Sequence, residues 1–137
     1  MRRPAAACLL AAVVVGCGGQ KRAREVPARL AAPGECYVSV FFATQMVTGR
    51  EAPRSEIAAV RGRLAASPRV KTFAFVSKQL ALRRMAKRHP DLVQGMPTNP
   101  LPAAYEIVPR SGGDAKTLAD ELRRANGVEH VSAAKSC

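Results

Sequence analysis

Apolar and polar positions along this 137-residue chain recur with two different periods, and each change of period marks an element. Residues 37–42 are dominated by β-branched and aromatic side chains, with Val38, Val40 and Phe42 on one face, which predicts a strand. Residues 43–50 break the alternation around Gly49 and read as a loop. Pro53 suits the first turn of a helix, and Ile57, Val60 and Leu64 then recur at i, i+3 and i+7, with Arg61 and Arg63 outside. Ser67-Pro68 ends that helix. Residues 70–76 return to a period of two, with Val70, Thr72, Ala74 and Val76 against Lys71, Phe73 and Phe75. Both faces are apolar enough to need cover. Ser77 can cap a helix over residues 78–89, where Leu82, Met85, Ala86 and His89 share a face and Pro90 ends the run. Residues 91–102 form a Pro-rich crossover. A third strand is expected over 103–108. A third helix follows, with Asp114 as N-cap, Leu118, Ala119 and Leu122 inward, and Asn126-Gly127 as stop signal. Residues 128–134 read as the last strand.

The order is β-α-β, a helix and a crossover, then β-α-β. This predicts an α+β fold: a ferredoxin-like split βαβ sheet with a small helical insertion lobe, residues 78–102, between strands 2 and 3. In that topology the first and last strands are antiparallel neighbours, so the start of one lies beside the end of the other. Cys36 opens the first strand and Cys137 follows the last. Pairing them would close nearly the whole domain, a stabilisation of roughly 4 kcal/mol on the chain-entropy model. The alternative is a frayed, free Cys137.

The amino terminus bears on where this fold works. Arg2 and Arg3 precede an apolar run over residues 5–15, the form of a secretory signal and too short for a permanent span. Val14-Val15-Gly16-Cys17 looks like the lipobox of bacterial lipoproteins, in which the signal is cut before the cysteine and its sulfur carries a diacylglycerol. Ordinary secretion with Cys17 unmodified is the other possibility. The resulting expectation is a signal over 1–16, a flexible tether over 17–35, punctuated by Pro and Gly, and a domain over 36–137. No segment after Cys17 approaches ~20 consecutive apolar residues. The expected location is the outer face of the bacterial cytoplasmic membrane or the periplasm, with the membrane engaged through the lipid. Cys8 leaves with the signal, so Cys36 and Cys137 are the thiols left to pair outside the cell.

Lys and Arg outnumber Asp and Glu by 22 to 10, a formal charge of +12, and only Arg2 and Arg3 depart with the signal. An exported lipoprotein rarely meets nucleic acid, so anionic lipid and wall polymers are the expected opposite charges. An Arg- and Ala-heavy, Lys-poor composition also fits a GC-rich genome, in which part of the basicity has no function. Catalytic signals are weak. His89 and His130 are the only histidines and neither has a Cys, His or acid at a metal-ligand spacing. His89 suits a helix C-terminus, Glu129-His130 a strand, and Gly112-Gly113-Asp114 a turn and cap. No catalytic residue, metal or cofactor is assigned.

Val38-Ser39-Val40-Phe41-Phe42, Arg63-Leu64 with Ser67-Pro68-Arg69-Val70, Phe75-Val76-Ser77-Lys78 with Ala81-Leu82, Asn99-Pro100-Leu101-Pro102-Ala103, and Gly127-Val128-Glu129-His130-Val131 stand out as a set. Together they resemble the extracellular domain of the cell-division permease-like protein FtsX. The resemblance spans about residues 37 to 133, and the Asn-Pro-Leu-Pro tetrapeptide is its most specific part. It implies a ferredoxin-like lobe, a smaller helical lobe, and a non-catalytic role in engaging a peptidoglycan hydrolase or another division-associated envelope protein. It does not carry over direct coupling to the ATPase FtsE, since this chain has no transmembrane helices of its own to transmit it. Leu80 is a second departure, because family members often place an acid there to complete a capping box after Ser77.

The insertion concentrates apolar residues that so short a segment cannot bury against itself. Leu80, Met85, Leu92, Val93 and Met96 are the expected partner-binding residues, with Leu82 and Leu101 nearby. Arg83, Arg84, Lys87 and Arg88 would form a basic rim that favours an acidic partner. Internal packing of the apolar set and a solvated basic helix face are the plain alternatives. The competing function is a lipid-anchored surface module that binds anionic envelope material without a role in division.

Overall fold

A computed structural model describes residues 29–133 and Cys137; the expected signal over 1–16, Cys17 and tether residues 17–28 lie outside the described residues. The elements run β1 (Val38–Phe42), α1 (Gln45–Thr48), α2 (Arg54–Ala66), β2 (Val70–Val76), α3 (Lys78–Arg88), α4 (Pro90–Val93), β3 (Ala104–Pro109), α5 (Gly112–Leu122) and β4 (Val128–Ala133). The four strands form one antiparallel sheet in the order β2-β3-β1-β4. This is the split βαβ arrangement expected of the chain, because the two βα crossovers leave β1 and β3 at the centre. Val38 lies opposite both Ile107 and Ala133, so β1 and β2 start at the same end of the sheet at which β3 and β4 finish. Cys36 and Cys137 meet at that end and are joined by a disulfide.

α2 and α5 cover one face of the sheet. Val38, Val40, Phe42, Tyr105, Ile107 and Val131 from the strands pack on Val60, Leu64, Ala115, Leu118 and Leu122 from the helices. Tyr105 centres an aromatic cluster, meeting Phe42, Phe73 and Phe75 edge-on with centroids 5.3 to 5.7 Å apart. Burial raises its phenol pKa above the ordinary value, only partly offset by the charge of Arg61.

Four local readings change. The register of β2 against β3 slips between Val70 and Thr72, so Val70 joins Phe73 in the helix-covered core while Thr72, Ala74 and Val76 turn to the other face. A single extra residue in a pleated strand reverses every side chain beyond it. Residues 45–48 of the expected loop form a helical turn, closed by Gly49 at φ +73° and by the Thr48 hydroxyl donating to Thr44 O at 3.0 Å. The N-cap of α5 is Ser111, not Asp114: the Ser111 hydroxyl oxygen accepts from Asp114 N at 3.1 Å, and the hydroxyl donates back to Asp114 Oδ2 at 2.7 Å. Gly112 and Gly113 therefore belong to the first helical turn, and the helix ends at Leu122, ahead of the Asn126-Gly127 turn. Pro90, which stops α3, also starts α4, as fits a residue that lacks an N–H where none is needed.

Candidate partner-docking site

The second face of the sheet is crossed by α3. Ser77 starts that helix, its hydroxyl oxygen accepting from Leu80 N at 3.1 Å, so the cap forms without an acid at position 80. Two contacts hold the entry: Lys78 pairs with Glu51, which lowers the Glu51 pKa, and the Asn99 amide donates to Lys78 O at 2.8 Å. The Asn99 side-chain oxygen in turn accepts from Leu101 N at 3.0 Å. Asn99 thus ties the Pro-rich crossover to the start of α3, which gives the Asn-Pro-Leu-Pro tetrapeptide a structural role.

From there α3 runs back along the sheet. Arg84 pairs with Glu106 of β3, and the side turned to the sheet is Ala81, Arg84, Met85 and Arg88. Of the residues expected to share a face, Met85 and His89 line the groove between α3 and the sheet, while Leu82 and Ala86 are half-buried outside it. Glu106, 22 residues away in sequence, lies beside Ser39 on this face and pairs with the Arg84 guanidinium, which turns that side of α3 to the sheet. Met85 and His89 are common to the expected face and the groove wall.

Between α3 and the sheet lies a groove of about 300 Å³, walled by Tyr37, Phe41, Val76, Met85, Leu101 and Ala104, with Arg84, Arg88, His89 and Glu106 along its side. Its sheet wall was not foreseen from the sequence, because Tyr37, Ser39 and Phe41 only become a surface once β3 and β4 flank them. His130 stacks on Phe41 with centroids 6.0 Å apart.

The structure places the five expected partner-binding residues on one lobe but not at one depth. Neither α3 nor α4 contains a fully buried residue. Leu80, Met85 and Val93 are half-buried, whereas Leu92 and Met96 are 56% and 38% exposed. In the basic rim, Arg83, Lys87 and Arg88 are exposed and Arg84 is engaged by Glu106. Three large apolar residues outside the insertion are exposed: Phe75 at 45% on β2, on a face expected to be covered, and Met46 and Val47, which were missed, at 72% and 68% on α1. Glu51 accepts from Gln45 N at the start of α1 and pairs with Lys78 at the α3 entry. The signal available was an adjacent Met-Val pair in a segment otherwise read as loop. Among the described residues no group of three or more His, Cys, Asp or Glu is arranged to hold a metal ion, and no helix is long and apolar enough to cross a membrane.

These features define an α+β domain with a ferredoxin-like lobe and a thin helical lobe of largely unburied apolar residues. The FtsX extracellular domain family matches residues 35–137, and the chain belongs to that family. It is similar to extracellular domain 1 of FtsX from Streptococcus pneumoniae, crystallised in complex with undecyl-maltoside, at 20% identity and a TM-score of 0.57 over 77% of this chain and 99% of that one. It is also similar to the large extracellular loop of FtsX from Streptococcus pneumoniae in solution, at 18% identity and a TM-score of 0.52 over 72% and 98% of the two chains. No curated protein matches the chain.

Proposed function

We propose that this chain is a non-catalytic adaptor of the cell envelope, anchored by lipid at Cys17, which uses its insertion lobe to dock and modulate a peptidoglycan hydrolase or another division-associated envelope protein. The observation that carries the reading is the absence of any buried residue in α3 and α4, together with the exposure of Leu92 and Met96. A lobe that buries so little of its apolar surface is poorly stabilised by itself and gains by covering it with a partner. That the similar pneumococcal domain was crystallised in complex with undecyl-maltoside, an amphiphile, is in keeping with this reading. Lys87, Arg83 and Arg88 at the lobe favour an acidic contact.

The test is binding of the mature chain to a purified peptidoglycan hydrolase from the same envelope, measured by calorimetry with Leu92→Asp and Met96→Asp. Each variant is expected to bind at least tenfold more weakly, about 1.4 kcal/mol, while its thermal stability stays within about 0.5 kcal/mol of the parent. Unchanged binding in the folded variants refutes the docking lobe. Binding that disappears between low and physiological salt would instead favour the module for anionic envelope material. Mass spectrometry of the mature amino terminus reads the lipid on Cys17 independently.

A further inference from the structure

The two faces of the sheet are covered unequally. α2 and α5 pack on one face, whereas α3 alone crosses the other. Neighbouring strands lie about 4.8 Å apart and a helix with its side chains is about 10 Å across, so a four-stranded sheet has room for about two helices on each face. The part left bare belongs to β4: Val131 packs into the helix-covered core, and its neighbours His130 and Ser132, turned to the opposite face, are exposed. The groove under α3 borders this strip, because Tyr37, Ser39 and Phe41, along the strand next to β4, line it.

These three side chains recur at intervals of two residues on one face. At about 3.3 Å per residue the two rings stand about 13 Å apart along the strand, with Ser39 midway. His130 stacks on Phe41 with the rings 22° from parallel and widens that aromatic end. Ser39 is 8% exposed, and its hydroxyl has no hydrogen-bond partner among the described residues. Glu106 lies opposite it across the strands and is engaged by Arg84. A hydroxyl buried to this extent is normally paired, so one that lines a groove unpaired marks a position for a polar group of a ligand. At the Tyr37 end Arg88 lines the groove and pairs with no carboxylate among the described residues; Asp91, three residues on, is not part of the groove wall.

We infer that this groove binds a carboxylate-bearing sugar chain, an uncrosslinked strand of the wall glycan. An acyl chain does not match the arrangement, because Ser39 and the Arg84–Glu106 pair would be closed against hydrocarbon at its centre. A sugar ring does. Its apolar C–H face lies on the electron-rich face of an aromatic ring, while its hydroxyls reach Ser39 and Glu106. Rings at both ends with hydrogen-bonding groups between them suit a ligand that repeats along its length. The Arg88 guanidinium offers a planar fork to a lactyl or stem-peptide carboxylate. A volume of about 300 Å³ is small for a ligand site and holds part of a chain, with the bare strip over β4 leaving the rest a way out. A domain of an extracellular family is placed to meet this polymer.

The experiment titrates the mature chain carrying Cys17→Ser, by calorimetry and NMR, with soluble uncrosslinked muropeptide oligomers. The neutral N-acetylglucosamine oligomer of equal length and the stem peptide alone serve as comparisons. The muropeptide should bind and shift the resonances of Tyr37, Ser39, Phe41 and His130. Ser39→Ala removes an unpaired hydroxyl, so the melting temperature should match or exceed the parent's while binding weakens about fivefold, the loss of one net hydrogen bond. Phe41→Leu, which stays apolar without a ring, should weaken the muropeptide and the neutral oligomer alike; if it unfolds the domain, Tyr37→Leu carries the same comparison. Arg88→Gln should weaken the muropeptide alone. No binding, or binding unaltered by both Ser39→Ala and the ring substitution, would overturn the site. Stem peptide that binds the groove as tightly as the muropeptide would overturn the sugar assignment. The site goes beyond the adaptor reading and uses neither Leu92 nor Met96, the residues changed in the docking test, so either can fail while the other stands.

Discussion

Reducing the Cys36–Cys137 bond is expected to remove a large share of this domain's stability while leaving its native contacts in place. The bond spans 101 residues in sequence, and a loop of roughly that length loses about 4.7 kcal/mol of stabilisation on the chain-entropy model when opened. The effect is assigned to the unfolded chain. In the folded domain β1 is already held against β4 by the Val38 to Ala133 register, and Cys137 is exposed. A domain of about 100 residues unfolds with an entropy near 0.2 kcal/mol per kelvin, so the melting temperature should fall by about 20 °C. The assay is thermal unfolding by circular dichroism with and without reductant, alongside Cys36→Ser/Cys137→Ser. The denaturant m-value should rise in the reduced protein, because an unlinked chain exposes more surface. A shift under about 5 °C, or two thiols that alkylate freely without reductant, would refute the argument.

Other expectations rest on single contacts. Gly127 sits at φ +79°, and a Cβ there would run into the Glu56 carboxylate and lie 2.9 Å from Glu56 Cβ, whereas Gly49 at φ +73° faces open space. Gly49→Ala should cost about 1 kcal/mol from backbone strain alone, and Gly127→Ala clearly more, up to about 3 kcal/mol, by chemical denaturation; equal losses would contradict the crowding. Glu35 is held down to about 2 from 4.5, first by the Arg29 hydrogen bond, then by Ala32 N–H and by the charges of Arg29 and Lys71. Its lowered pKa means that its contribution is complete above about 4.5 and lost as pH falls through about 2. Carboxyl NMR should find that titration, and a Glu35 midpoint at the ordinary carboxylate value would refute the pairing.

What could be read from the chain alone was whatever depends on near neighbours in sequence and on the handedness of connections. The alternation over 37–42, the stripe of Ile57, Val60 and Leu64, and the Ser77 cap each concern residues within a few positions of one another, and each appears in the structure. The strand order followed from these elements because a split βαβ chain has few right-handed ways to close, and the same rule brought Cys36 to Cys137 across 101 residues. Tertiary structure decided the rest. The slip between Val70 and Thr72 turns on how β2 pairs with β3, which is invisible in the composition of β2. The rotation of α3 depends on Glu106, a residue the helix meets only after β3 has taken its place in the sheet. The groove beneath α3 is likewise a product of the fold: Tyr37 and Phe41, Val76, and Leu101 come from three separate segments and meet only when β1, β2 and the crossover take their places. The strand order decides that they meet.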